Sequence, residues 1–214
     1  MNGFMTFIGE NQSIIFKALG IHIQLVIVSV LIGALIAIPT GIILSRYQKT
    51  AKIVLGIAGI IQTIPGLVML GFALMIFGIG KLPAIIVLAV YAILPILTNT
   101  YIGITEVDKH YKDAATGIGM TSLQVLFKVE LPIALPAVIS GIKISTVYII
   151  SWATLAALIG AGGLGDLIWT GLATTNNYSI IAGAIPAAII AVLIGAVIGG
   201  IQRLATPRGL KVRR

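Results

Sequence analysis

Apolar positions along this chain gather into long, nearly uninterrupted runs, not the alternation of a half-buried strand or the stripe of a soluble helix. Crossing a hydrocarbon core of ~30 Å takes about 20 residues of α-helix. Five runs reach that length, near residues 22–45, 53–78, 83–104, 135–159 and 180–202. No run keeps a period of two over ten residues, so a transmembrane β-barrel is not expected. The pattern predicts an all-α membrane protein, a single transmembrane domain over residues 1–214 with five transmembrane helices. Polar positions collect between the runs, and the stretch at about 105–132 is too polar to join either neighbour.

Composition agrees with a bilayer as solvent. With 58% hydrophobic residues, 9% charged and a mean hydropathy of +1.13, too little polar surface remains to face water all round. The few charges are informative by position. Arg46, Lys49 and Lys52 lie between the first two spans, Lys109, Lys112 and Lys128 between the third and fourth, and Arg203, Arg208, Lys211, Arg213 and Arg214 after the fifth. The opposite side has only Lys17 and Lys81. Positive residues accumulate on the cytoplasmic face, so the N-terminus is expected outside and the C-terminus in the cytoplasm. The net charge of +8 then belongs at lipid headgroups, and no nucleic-acid partner is expected. The chain has no cysteine, which removes disulfides and thiolate metal sites. Its first residues lack a basic start, so no cleaved leader is expected and the first span serves as its own insertion signal.

The polar stretch reads as a short two-helix elbow. Asp113 is a helix N-cap candidate, with Ala114 and Ala115 opening the helix behind it. Gly119 can end that helix in a left-handed conformation, and Thr121 with Gln124 reads as the capping box of a second. Leu123, Leu126 and Phe127 share a face of this second helix. Pro132 and Pro136 mark re-entry into an apolar segment, at places where a helix starts but does not run through. Ala115 and Gly119, four apart, offer a small-residue surface onto which another protein could close.

The spacing Asp113-Ala114-Ala115, three residues, Gly119, nine residues, Val129, one residue, Leu131-Pro132 resembles the signature loop of permease subunits of bacterial ABC importers. Asp113 stands where that loop has Glu, and Val129 where it has Ile. Further runs are similar to the osmoprotectant branch of these permeases: Gln62-Thr63-Ile64-Pro65, Gly78-Ile79-Gly80 with Pro83-Ala84-Ile85, Leu94-Pro95-Ile96, Asn99-Thr100-Tyr101, and Trp152-Ala153-Thr154-Leu155 leading to Gly162-Gly163-Leu164-Gly165-Asp166. Gly66 stands where Ser is expected, a departure bearing on local packing. The resemblance covers nearly the whole chain. It implies the ABC importer permease fold in the bacterial cytoplasmic membrane, and a path for glycine betaine, carnitine, choline or related quaternary ammonium solutes. It also implies ABC ATPase subunits gripping the elbow, an extracytoplasmic substrate-binding protein, and a second copy or a related permease beside this one. ATP and magnesium would sit on the partner ATPase, with no cofactor on this chain.

The chemistry in the chain is consistent with a subunit that does no catalysis. Gly80-Lys81 lacks the upstream glycine and following Ser or Thr of a phosphate-binding loop, so the motor is expected on another polypeptide. Gly160, Gly162 and Gly165 satisfy GxGxxG, yet follow a membrane span and read as a flexible extracytoplasmic turn. His22 and His110 fall on opposite sides of the membrane, so no metal site is expected. Pro39, Pro65, Pro95 and Pro186 lie inside spans, Pro65-Gly66 being the sharpest break and a candidate part of the path. Gly33, Ala37 and Gly41, like Gly195 and Gly199, permit close helix contact.

Lys143 falls inside the fourth span, where a charge costs at least ~2.5 kcal/mol at the centre. It is expected near the interface, with Pro132 and Pro136 laying the preceding turn along the membrane surface. Tyr148 and Trp152 share a face four residues apart. They either pack against helices or offer π-faces to a trimethylammonium group. Beside the osmoprotectant reading stand a methionine-type ABC importer permease, an ion-driven secondary transporter and a non-transporting scaffold. The secondary transporter would want intramembrane carboxylates, and every Asp and Glu falls outside the five runs.

Overall fold

The computed structural model describes residues 2–206. The basic tail residues Arg208, Lys211, Arg213 and Arg214 lie outside the described residues. Among the described residues the chain is helical, in the order α1 (Asn2–Leu44), α2 (Gln48–Thr63), α3 (Gly66–Phe77), α4 (Lys81–Thr105), α5 (Lys109–Gly117), α6 (Ser122–Val125), a π-helical turn (Leu126–Glu130), α7 (Leu131–Ala153), a 3-10 turn (Leu155–Ile159), α8 (Leu164–Ala173) and α9 (Asn177–Ala205).

Four of these segments are long and apolar enough to cross a membrane, and the pair α2 and α3 brings the count to five if taken as one broken span. The run at 53–78 is therefore not one straight helix: α2 and α3 meet at 91°. The cause is local. Pro65 pushes Ile64 into extended geometry, φ −66° and ψ 128°, and Pro65 itself takes ψ 130°, so the helix stops and restarts at Gly66. By contrast, the helices run through Pro39, Pro95, Pro136 and Pro186, whose rings are accommodated within α1, α4, α7 and α9. Pro136 thus does not interrupt re-entry as the sequence suggested.

α1 begins about twenty residues before the first apolar run. At 1.5 Å per residue its 43 residues extend about 64 Å, twice a hydrocarbon core. Nothing between Asn2 and Gly20 stops a helix, and Phe4 and Phe7 pack on Tyr178 at the start of α9, ring centroids 6.0 and 6.1 Å apart.

The core is a layer of α1, α4 and α7, joined by Leu25, Val26 and Val30 from α1, Val87, Leu88 and Ala92 from α4, and Ile149, Ile150 and Ala153 from α7. Ala37 is fully buried, and a Cβ at Gly33 or Gly41 would come within 2.7 Å of Ala92 or 2.9 Å of Thr100, so this small-residue stripe sets α1 directly on α4. Polar side chains tie the layer together: the Ser145 hydroxyl donates to the Ala92 carbonyl at 3.1 Å, and His22 Nε2 bonds the Ile150 carbonyl at 3.1 Å. α9 lies along α7 and α8. Leu35, Met75, Ile76, Val192 and Leu204 remain exposed on the outer faces, as a lipid-facing surface requires.

The segment after α7 departs from a flexible turn. Gly160, Gly162 and Gly163 take φ of +75°, +82° and +93°, and a Cβ at Gly165 would lie 2.2 Å from the Thr154 carbonyl oxygen. These glycines seat a close-packed loop and start α8, a helix that the sequence pattern did not reveal. The apolar run at 135–159 correspondingly ends as α-helix at Ala153 and finishes in the 3-10 turn.

Candidate coupling elbow and aromatic groove

The elbow forms from residues 108–130, and its first cap is not the residue expected. Asp108, not Asp113, caps α5, its carboxylate accepting the His110 N–H at 2.9 Å. Asp113 and Ala114 sit exposed in the middle of α5. Both aspartates suit an N-cap, but α4 ends at Thr105, and starting at Asp108 lets Ala115 and Lys112, three apart, turn inward. Ala115 is buried at 5% exposure, whereas a Cβ at Gly119 would meet nothing within 4 Å. Ala115 and Gly119 therefore do not make one outward small-residue surface. Gly119 does end the helix as expected: at φ +86° it lets the Met120 N–H reach the Ala115 carbonyl at 3.1 Å. Thr121 and Gln124 form the expected capping box, with both reciprocal bonds present.

The second half of the elbow divides the three apolar residues read as one face. Leu126 is buried with Val125, whereas Leu123 and Phe127 are 69% and 64% exposed. Ile118 is likewise 76% exposed, so the elbow carries three outward apolar side chains. Val129 and Leu131 are half-buried and Pro132 is exposed in the first turn of α7.

The elbow also holds a residue that sequence reasoning passed over. Glu130, between Val129 and Leu131, is 1% exposed. Arg46, just past α1, grips its carboxylate with both guanidinium nitrogens, Nη1 to Oε1 at 3.0 Å and Nη2 to Oε2. Lys112 Nζ stands 3.4 Å from Oε1 and donates to the Ile104 carbonyl at 3.3 Å. A carboxylate taken out of water needs such partners. The available signal was an acid enclosed by apolar neighbours immediately before a span.

Far along α7, Tyr148 and Trp152 face a groove of about 200 Å³ lined with Gln62, Tyr91 and Ile149. Tyr91 stacks on Trp152, centroids 4.9 Å apart and planes 19° apart. Its hydroxyl donates to the Ile64 carbonyl oxygen. That oxygen is the acceptor stranded by the break at Pro65, because the Val68 N–H bonds to Pro65 instead. A Cβ at Gly66 would overlap the Trp152 ring at 1.4 Å, so the glycine is what admits the indole. The structure thus brings Tyr148, Trp152 and the Pro65 break together and adds Tyr91. No charged side chain lines this groove.

Lys143 belongs to a neighbouring groove between α7 and α9 with Ser140, Tyr148 and Gln202. Its ammonium lies over Gly199, where a Cβ would come within 3.3 Å, four residues before Arg203. The helix beneath it is continuous through Pro136, so no surface-lying turn is responsible for its position. Among the described residues no group of three His, Cys, Asp or Glu could hold a metal.

The geometry thus combines a broken span, a capped elbow ahead of α7 and an aromatic groove. Residues 29–210 match the model of the family described as binding-protein-dependent transport system inner membrane component, and the chain belongs to that family. It is 43% identical over 211 residues to the glycine betaine/carnitine/choline transport system permease protein OpuCB of Bacillus subtilis (strain 168), covering 99% of this chain and 97% of that one. It is 45% identical over 190 residues to the choline transport system permease protein OpuBB of the same organism, covering 89% and 88%. Among solved structures it is similar to a chain of the MetNI methionine ABC transporter in an inward-facing conformation, with a TM-score of 0.78, 26% identity, and coverage of 87% and 94%. The chain is a transmembrane subunit of an ABC importer, integral to the cell membrane, in a family of transport permeases that work with a binding protein.

Proposed function

We propose that this subunit forms the path for quaternary ammonium osmoprotectants, the solutes for which the OpuCB and OpuBB relatives are named. The observation that carries the reading is the groove of Tyr148 and Trp152 with Gln62, backed by the stacked Tyr91, which offers π-faces and no competing charge. A trimethylammonium group cannot donate a hydrogen bond, so aromatic faces are its natural partners, worth roughly 0.5–2 kcal/mol each. Contact of that strength holds a solute in passing without trapping it.

In this reading two permeases, two copies or this chain and a related one, enclose the path. An extracytoplasmic binding protein selects and delivers the solute. ABC ATPase subunits, carrying ATP and magnesium, dock on the elbow through Ile118, Leu123 and Phe127. This chain does no catalysis, and its N-terminus is outside and its C-terminus cytoplasmic. Asp113, Ala114, Gly119, Val129, Leu131 and Pro132 shape the docking segment, with Ala115 as its inner support.

Uptake of labelled glycine betaine and choline into proteoliposomes carrying the whole transporter tests the substrate class, with methionine as competitor. Trp152→Leu, which keeps an apolar side chain and removes the π-face, is expected to slow uptake roughly two- to thirtyfold. Competition by methionine instead of betaine would favour the methionine-type alternative. Gly119→Glu is expected to abolish uptake while the chain still inserts in the membrane, and normal transport by that variant would remove the elbow's assigned role.

A further inference from the structure

The residue between Val129 and Leu131 has no part in the docking face, yet it is the most completely buried acid of the described chain. Glu130 closes the π-helical turn that links α6 to α7. Its carboxylate meets Arg46 from the end of α1 and Lys112 from α5, and Lys112 also holds the last turn of α4 through the Ile104 carbonyl. Three pieces of the chain, separated by up to 84 positions, therefore meet at one side chain, and α4 is joined to them through Lys112. Of these pieces, α1 and α4 belong to the membrane layer, and the other two carry the elbow.

We propose that Glu130 is the positioning residue of coupling: with Arg46 and Lys112 it joins the elbow to the α1–α4 layer, so that a push on the elbow moves the membrane helices as a body. This rests on the reading of the elbow as the ATPase contact. A bidentate guanidinium–carboxylate pair fixes both direction and distance, which a single flexible contact would not. The π-helical turn is where a joint is needed, since its wider winding interrupts the regular ladder between α6 and α7. Without the carboxylate, Arg46 and Lys112 repel each other, and the elbow can shift without moving α1. Glu130 does not line the groove and is itself buried, so the effect it exerts is on transmission.

The test uses the complete transporter in proteoliposomes, with binding protein and ATPase present. Glu130→Gln is expected to retain the co-purifying ATPase, while uptake and the stimulation of hydrolysis by loaded binding protein both fall about tenfold, the scale of a lost coupling energy. The Arg46→Gln, Glu130→Gln pair is expected to lose no more than Glu130→Gln alone, as residues acting as one unit do. Lys112→Gln, which leaves the bidentate pair in place and so protects folding, is expected to give a smaller loss of the same kind. Uptake by Glu130→Gln within about twofold of wild type, loss of the ATPase from the complex, or multiplying losses in the double variant would each overturn the joint. Gly119→Glu is measured in parallel. If it transports normally, the elbow reading itself fails and the joint with it. If it uncouples while Glu130→Gln transports normally, only the joint fails.

Discussion

At the scale of single residues, the aromatic groove depends on two atoms being absent or satisfied. Gly66 has no Cβ, and the Trp152 ring occupies the space one would fill. Gly66→Ala is therefore expected to drive the indole off Tyr91, with an overpacking cost of about 1–3 kcal/mol. A lower melting temperature and a changed near-UV dichroism would register it, and an unaltered spectrum would show that the stack does not depend on this gap. Tyr91 satisfies the stranded Ile64 carbonyl. Tyr91→Phe leaves that half-buried acceptor without its partner, and a loss of about 0.5–1.5 kcal/mol in denaturant unfolding of the solubilised protein is expected. Sequence reading singled out Tyr148, Trp152 and Pro65 as candidates because spacing on a helix and a proline in an apolar run are local signals. It did not identify Tyr91 or Glu130, whose partners lie 27 and 84 positions away, a relation no local period encodes.

At the scale of elements, the spans were legible because the bilayer imposes length and apolarity together, and the elbow was legible because caps have fixed offsets. Where two caps compete, local chemistry does not decide: Asp108 prevails over Asp113 through what the start of α5 turns inward, which is a tertiary matter. The same holds for Leu123, Leu126 and Phe127, whose shared apolarity does not say which side faces the protein. The glycine loop and α8 were missed for a related reason, since the space that excludes a Cβ at Gly165 is made by Thr154, eleven residues earlier. The outward side chains lead to a paired prediction. Phe127→Ser should weaken retention of the ATPase yet change stability by no more than about 0.5 kcal/mol, because the ring is exposed. Thr121→Ala removes the capping box and should cost about 1 kcal/mol of local helix stability. ATPase retention measured beside thermal stability separates the two, and equal stability losses in both would count against a docking role for Phe127.

At the scale of the whole molecule, the proposed coupling role requires the elbow to lie in the cytoplasm, because an ATP-driven motor works only from that side. Arg46, Lys49 and Lys52 follow α1, and Lys109, Lys112 and Lys128 lie in the elbow, while Lys81 starts α4 at the other end of the bundle. By the positive-inside rule that asymmetry predicts a topology with the elbow in the cytoplasm. The absence of cysteine from the chain makes the topology directly measurable, since a single introduced thiol has no background. Ile118→Cys and Lys81→Cys both place the thiol on an exposed residue, one in the elbow and one at the opposite end. With a membrane-impermeant maleimide, the thiol at position 81 should label in intact cells, and that at position 118 only after the membrane is opened. Labelling of position 118 in intact cells would put the elbow outside, beyond the reach of any ATPase. The coupling reading would then fall even if the aromatic groove still selected quaternary ammonium solutes, because groove and elbow rest on separate residues of the same helix-linked chain.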